Sequence, residues 1–303
     1  VASQTINLLK PDGLIISDLG ILRYVKKHHP EVPIHISTQA NICSSQSVKT
    51  WQELGASLCV LSREVTHREF LEIREKCPDI KLEIFIHGSM CMSYSGRCLI
   101  SNYLKGRPAN RGLCYQPCRS KYQMSLRDEE GHELEIEEDD RYSYIMNSKD
   151  LCLMPRLSLI LESGVDTLKI EGRNRSEYYT GSVTRAYRLA IDSYFKDPTT
   201  FDYRKYQEEL DILESRGYST AFFDGGIDTG AQNYASSRSI SSYKVCGVIR
   251  GDGGDYITME LRNEVKKGDE INFLIPQTLE KPRVKLEEVI DGETDKILEK
   301  KSA

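Results

Sequence analysis

The sequence predicts an α/β protein: a parallel sheet of βα units, broken by a cysteine-rich insertion and followed by a small all-β domain. Three observations carry this. Short apolar runs alternate with amphipathic stretches through the first half, as βα units on a parallel sheet do. Residues 88–150 break the rhythm with four of the nine cysteines and several Gly, Pro and Asn residues. After Ser236 the pattern becomes short β-type runs with Gly-rich turns between them.

The first five runs read as strands: Leu14–Ser17, Ile34–Ser37, Ser57–Leu61, Leu82–Ile86 and Thr167–Ile170. Between them, Leu19–Lys27 follows Ser17 and Asp18 as caps, and Ser44–Leu54 starts from serines and stops at Gly55. Thr66–Lys76 starts from Thr66 and stops before Pro78. A long helix runs from Ser176 to about Phe195, and Pro198 ends it. The acidic stretch Asp128–Asp140 alternates around Gly131-His132 and reads as a hairpin with a solvated face. Residues 201–216 read as one charged helix. Val245–Arg250, Tyr256–Leu261, Glu270–Leu274 and Val284–Ile290 read as the strands of the last domain. The boundaries drawn from this are 1–198 for the barrel-like domain with its insertion 88–150, 199–235 for a helical connector, and 236–303 for a C-terminal β-barrel-like domain.

Composition removes several function classes. Hydrophobic residues make up 39% and charged residues 29%, so a core forms and wholesale disorder is excluded. Apolar stretches such as Gly13–Ile16 and Leu82–Ile86 fall far below the roughly 20 residues a membrane span requires. No charged-then-apolar secretion signal opens the sequence. A net charge of −5 argues against a mainly electrostatic nucleic-acid binder but leaves room for a local basic face. Nine unevenly placed cysteines do not make a secreted disulfide scaffold. The expectation is a soluble, cytoplasmic protein without membrane contact.

The strongest signal is Cys91, Cys98, Cys114 and Cys118, followed at a distance by Cys152. Cys91 lies just past the strand Leu82–Ile86, at the sheet edge where α/β barrels carry their chemistry. Thiolates gathered from loops hold a structural Zn²⁺ or an iron–sulfur cluster. Zinc sites present tight pairs, and only Cys114–Cys118 comes near one; six and fifteen intervening residues suit a larger object with four corners. Spacing alone leaves a cluster, zinc and unliganded thiols open. Cys43, Cys59, Cys77 and Cys246 lie on or beside apolar runs and read as buried small hydrophobes.

The run Glu83-Ile84-Phe85-Ile86-His87-Gly88-Ser89-Met90-Cys91, continuing through Gly96, Cys98, Ile100 and Ser101, resembles the signature of peptidase family U32. The resemblance continues through Asn110–Arg119, Asn147–Leu151, Leu168–Arg173 and Arg216–Thr220. It implies a (β/α)₈ TIM-barrel-like domain plus a C-terminal β-barrel. The family was named for collagenase-like proteolysis, yet its better understood members hydroxylate RNA or quinones and hold a [4Fe–4S] cluster. The pattern is most similar to members that convert the wobble uridine of tRNA to 5-hydroxyuridine with prephenate, a small dicarboxylic acid. By this resemblance Cys91, Cys98, Cys114 and Cys152 hold the cluster, with Cys118 as the alternative to Cys114. A U32-type peptidase and a zinc-bound scaffold without catalysis are the other readings. The sequence shows no G-x-S-x-G elbow and no H-E-x-x-H helix for proteolysis.

Family members carry three further βα units ahead of the strand that opens this sequence. Five strands cannot close an eight-stranded barrel. The expectation is therefore roughly 80–100 more residues ahead of Val1, from the usual size of such barrels, or a second homologous subunit that supplies the missing units.

The remaining candidates stand around the same sheet edge. His87 ends a strand immediately before the cysteine loop and reads either as a core histidine or as a catalytic one; His35, within a strand, reads as a hydrogen-bonded core residue. Glu171 and Arg173 are the other catalytic candidates. Arg63 and Glu64 share their rim, where an Arg–carboxylate pair braces the edge or an arginine forks onto a small acid or an RNA phosphate. Arg63, Arg173 and Gln39, the last in the polar Ser37–Asn41 loop, are the expected substrate ligands, with Arg107 and Arg111. Lys105, Arg107, Arg111 and Arg119, interleaved with Tyr103 and Tyr115, suit either a solvated surface or single-stranded RNA, with tRNA the partner.

Overall fold

The computed structural model describes residues 2–90, 98, 100–107, 113–119, 125–127, 133–135, 148–225, 243–254, 256–294 and 296–302. Helix α1 (Ala2–Leu9) leads into β1 (Leu14–Ile16), α2 (Leu19–His28), β2 (Ile34–Ile36), α3 (Ser45–Glu53), β3 (Leu58–Val60), α4 (His67–Lys76) and β4 (Lys81–Gly88). Helices α2, α3 and α4 each begin at a predicted cap. Asp18 Oδ1 accepts from Ile21 N–H at 2.8 Å, Ser44 Oγ from Ser47 N–H at 3.3 Å, and Thr66 forms a capping box with Glu69. Helix α1 was not read from the sequence; its eight residues carry no cap signal.

The insertion holds α5 (Ile100–Lys105) and the hairpin strands β5 (Ser125–Arg127) and β6 (Glu133–Glu135), paired Leu126 to Leu134. The turn at Gly131-His132 lies outside the described residues. Then come β7 (Asp150–Cys152), α6 (Leu157–Glu162), β8 (Thr167–Ile170), α7 (Glu177–Lys196), α8 (Arg204–Asp211) and β9 (Tyr218–Ser219). The chain divides into two compact units, Val1–Arg173 with Ser215–Ser239, and Asn174–Glu214 with Ile240–Ala303.

In the first unit β1, β2, β3, β4 and β8 run parallel in that spatial order. All five were legible as apolar runs. Strand β7 lies antiparallel on the end of β4, and β9 parallel on β7. The architecture is mixed α/β with a mainly parallel sheet. Among the described residues β1 pairs only with β2 and β8 only with β4. These two ends are wetter than the middle: Ile15 is exposed and all of β8 half-exposed, whereas β3 is wholly buried. Alternation and register put Ile34, Ile36, Cys59 and Leu82 on one face, all fully or almost fully buried, with α3 packed on β3. The other face carries His35, Val60, Glu83, Phe85 and Lys169. His35 is half-buried rather than a core residue.

At the start of β4 and β8 the sheet is tied by Asp166. Its Oδ2 accepts from the Leu82 amide at 2.8 Å and from Arg74 Nη1 at 2.9 Å. Arg74 also donates to the carbonyl oxygens of Cys77 and Ile80, closing the α4–β4 turn.

In the second unit α7 starts at its Ser176 cap and buries Val183, Ala186 and Ala190. Arg185, also buried, pairs with Glu209 of α8 at 2.8 Å and donates to the Ile275 and Thr278 carbonyls. Helix α8 is shorter than the charged stretch 201–216, because the chain leaves the helix after Asp211. The C-terminal strands form separate antiparallel pairs: β10 (Gly247–Asp252) with β11 (Ile257–Leu261), β12 (Val265–Lys266) with the last strand, and β13 (Glu270–Asn272) with β14 (Arg283–Lys285). Strand β15 (Val289–Ile290) pairs with β16 (Ile297–Leu298), and β17 (Lys300–Lys301) is the partner of β12. The run Val284–Ile290 is thus two strands, not one.

Replacing Asp166 with Ala strips the Leu82 amide of its acceptor and Arg74 of its carboxylate. Equilibrium urea unfolding is expected to show a loss of about 1–3 kcal/mol. An unchanged midpoint would show that this tie contributes nothing.

Candidate functional site at the C-terminal rim of the sheet

The site is built on the last residues of β4. Gly88 has φ of 119°, and a Cβ there would lie 2.4 Å from the Glu171 carbonyl oxygen, so only glycine fits. That closeness lets Glu171 N–H donate to the His87 carbonyl at 2.9 Å while Leu153 N–H donates to Ile86 at 2.8 Å. His87 faces Cys152 across the β4–β7 ladder and Gly88 faces Leu151. The β4–β8 register slips by one residue at Ile86, a bulge that resets the strand immediately before His87. The His87 imidazole is fully buried and packs against Tyr218 with ring centroids 5.2 Å apart. Of the three catalytic candidates, His87 and Glu171 are therefore joined through backbone. Arg173 is exposed, its amide donating to Glu171 Oε1 at 3.1 Å.

Loops after β2 and β3 complete the rim. Asn41, in the left-handed region at φ 54°, accepts from Ser62 Oγ at 3.0 Å, and Ser62 N–H donates to Ile42 at 3.0 Å. Gln39 is half-buried in the turn Thr38–Ala40, capped by Ser37. Arg63 lays its guanidinium over Phe85, 3.7 Å from the ring centroid. Ser62, Arg63, Phe85, Leu151, Thr220 and Phe223 help line a narrow cleft beside this stack. Next to it, His67 stacks on Phe223 at 5.1 Å, and Arg156 donates to Asp224 at 2.8 Å, holding that carboxyl below the usual range.

Two stretches far apart in sequence meet in β7 and β9. Asp150 and Arg216, both buried, are ion-paired at 3.1 Å, and Asp150 N–H donates to the Gly217 carbonyl at 3.0 Å. This pair was missed in sequence reading, although both residues lie within motifs singled out there. The charged stretch 201–216 predicts a helix through Arg216, which lies instead between α8 and β9.

Cys98 is half-buried ahead of α5, and Cys114 and Cys118 are half-buried in a loop that packs on that helix. Tyr115 N–H ties the loop by donating to Ser101 Oγ at 3.2 Å. Cys152 is buried on β7. Cys91, Arg111 and the Arg119 side chain lie outside the described residues. The donors match an iron–sulfur or zinc site in chemistry, all thiols, three of them half-buried. Among the described residues no three His, Cys, Asp or Glu side chains converge as metal ligands. Tyr103, Lys105 and Arg107 are exposed at and beyond the end of α5. Cys59 and Cys77 are buried as expected, and burial pushes the Cys59 thiol up to about 12. Cys43 and Cys246 are not core residues: Cys43 is exposed beside Asn41, and Cys246 is half-buried ahead of β10.

The sequence model of peptidase family U32 matches residues 3–233. The chain is 37% identical over 268 residues to tRNA hydroxylation protein P1 of Bacillus subtilis, covering 88% of this chain and 63% of that protein. It is 34% identical over 308 residues to tRNA hydroxylation protein P of Escherichia coli, covering 88% and 68%. A protein named collagenase from Porphyromonas gingivalis is 32% identical over 226 residues, covering 70% and 52%. The chain thus spans roughly half to two thirds of the length of these relatives. No solved structure matches. No helix among the described residues is long and apolar enough to cross a membrane.

Gly88→Ala is expected to cost more than about 2 kcal/mol in thermal or urea unfolding, because the added methyl meets backbone and φ is strained. A neutral effect would mean that the β4–β8 approach is not tight. Thiol labelling at pH 8 followed by mass mapping is expected to modify Cys43 and spare Cys59, whose thiolate fraction at a pKa of about 12 is on the order of 10⁻⁴. Equal labelling of the two would contradict the burial.

Proposed function

The chain belongs to peptidase family U32, and from that premise we propose that it forms the reactive rim of an RNA hydroxylase. Its substrate is tRNA, its product 5-hydroxyuridine at the wobble position, and prephenate its co-substrate. The observation that carries this reading is convergence. Of the segments that define the family resemblance, the described parts of Glu83–Cys91, Asn147–Leu151, Leu168–Arg173 and Arg216–Thr220 meet at one end of one sheet. The relatives named for tRNA hydroxylation span most of the chain.

In this reading Cys91, Cys98, Cys114 and Cys152 hold a [4Fe–4S] cluster, with Cys118 the alternative to Cys114. Such a cluster supplies a redox-active Lewis-acid centre when bound. The chain's own residues supply position and charge. Buried His87 holds a titratable ring at the rim, braced by Tyr218. Arg63 and Arg173 present guanidinium groups to a carboxylate. Exposed Arg107 and Tyr103, with Arg111, contact the nucleic acid by charge and stacking. The parallel sheet is one part of a larger barrel, and the protein works in the cytoplasm.

Hydrolysis is a second reading, favoured by the collagenase-named relative. Among the described residues a serine–histidine hydrogen bond joins Ser3 Oγ and His29 Nε2 at 2.8 Å, between α1 and the end of α2. It is not at the rim.

The test is iron and sulfide analysis of anaerobically purified protein beside nucleoside mass analysis of its tRNA. Cys152→Ser is expected to remove iron and chromophore, and Cys43→Ser to leave both. Full iron in Cys152→Ser would remove that ligand from the assignment, and peptide cleavage by iron-free protein would establish hydrolysis. Arg107→Ala is expected to weaken tRNA binding and to lower its salt slope by about one unit. An unchanged slope would take Arg107 off the RNA.

A further inference from the structure

The loop that carries Cys114 and Cys118 turns on a residue with no role in the chemistry proposed so far. Gln116 stands in the left-handed region, at φ 61°, directly ahead of Pro117. Both facts oppose that conformation. A residue with a β-carbon is strained at positive φ, and the residue before a proline is driven toward extended backbone. Glutamine is held there because the loop is fixed on both sides of it. Tyr115 N–H donates to Ser101 Oγ at 3.2 Å, and Ser101 is fully buried in α5. Pro117 is buried and opens the 3₁₀ turn Pro117–Arg119, which packs on the same helix. Between these anchors the left-handed turn points the Gln116 amide back along the chain, where it donates to Cys114 Sγ at 3.3 Å.

We propose that the Gln116 backbone amide is a positioned donor to the Cys114 sulfur and raises the reduction potential of the iron–sulfur site at that corner. The inference rests on the cluster reading and adds to it a residue that is not a ligand. A protonated thiol is a weak acceptor and gives such a bond little strength. A metal-bound sulfur carries charge, and a hydrogen bond to a charged acceptor is roughly twice as strong as a neutral one. Backbone strain of this kind persists where the surroundings over-determine it, and it collects at ligand sites. An N–H aimed at a cluster sulfur favours the more negative, reduced state, and hydrogen bonds to the sulfurs are among the factors that set the potential. Because the donor is backbone, its effect depends on φ at residue 116 and not on the glutamine side chain.

The anaerobically purified, iron-containing protein is to be titrated with dithionite at controlled potential, following the electron paramagnetic resonance of the reduced cluster. Gln116→Gly keeps the amide and relieves the backbone, so it is expected to keep the wild-type midpoint potential. Gln116→Val disfavours positive φ and withdraws the amide, so it is expected to lower the midpoint potential at unchanged iron per chain. A merely structural role for the turn would move stability and leave the potential where it was. An unchanged potential in Gln116→Val, or an equal fall in Gln116→Gly, overturns the inference and leaves the cluster reading standing. If Gln116→Val does not retain iron, wild-type protein labelled with ¹⁵N-glutamine decides. A hyperfine coupling between a glutamine nitrogen and the reduced cluster, lost in Gln116→Gly, supports the donor, and the lack of any such coupling overturns it. Wild-type protein without iron and sulfide overturns the cluster and the inference together.

Discussion

The rim of the sheet depends on a missing side chain. Strand β4 serves three partners, and it does so because Gly88 lets the chain after β8 approach within backbone contact. From that approach follow the Glu171–His87 hydrogen bond, the turn that carries Arg173, and the position of β7 on the other side of β4. A β-carbon at Gly88 would push Glu171 outward and with it the whole edge on which Arg173 stands. The cysteine loop leaves from the same point, two residues later. One backbone conformation therefore sets the relation between the Glu171 and His87 backbones.

Charge inside this framework is used in two ways. Asp150 and Arg216 are sealed from water and hold β9 to β7, a pairing that hydrophobic residues would make with less specificity. Glu83 and Lys169 are paired but partly open, and share an aromatic ring with Arg63. The first pair fixes geometry at the end of the sheet. The second leaves its ammonium within reach of water.

The parallel strands and their helices were legible because each carries its signal locally: an apolar run, a capping Asp, Ser or Thr, a stop at glycine or before proline. The cysteines stand out in the sequence for the same reason, by local spacing. What escaped was decided by distant partners. Arg216 looks helical in the charged stretch 201–216, yet its partner is a buried aspartate 66 residues earlier. Strand β7 is three residues long and exists because β4 offers it an edge. Cys43 sits beside an apolar residue but points to solvent near Asn41, since the turn after β2 follows a left-handed residue.

The β7–β9 pairing has a consequence for how the chain is made. Asp150 and Leu151 leave the ribosome long before Tyr218 and Ser219, and the intervening stretch contains all of α7 and α8, which belong to the second unit. The first unit therefore cannot finish until part of the second has been synthesised. In the interval the Asp150 carboxylate has no Arg216, and β7 presents a bare edge to whatever is nearby. Contacts of such long sequence separation are the slow ones. The outer edge of β7 is thus covered only after the chain has passed residue 219, and the Asp150 carboxylate is paired only once Arg216 has been made.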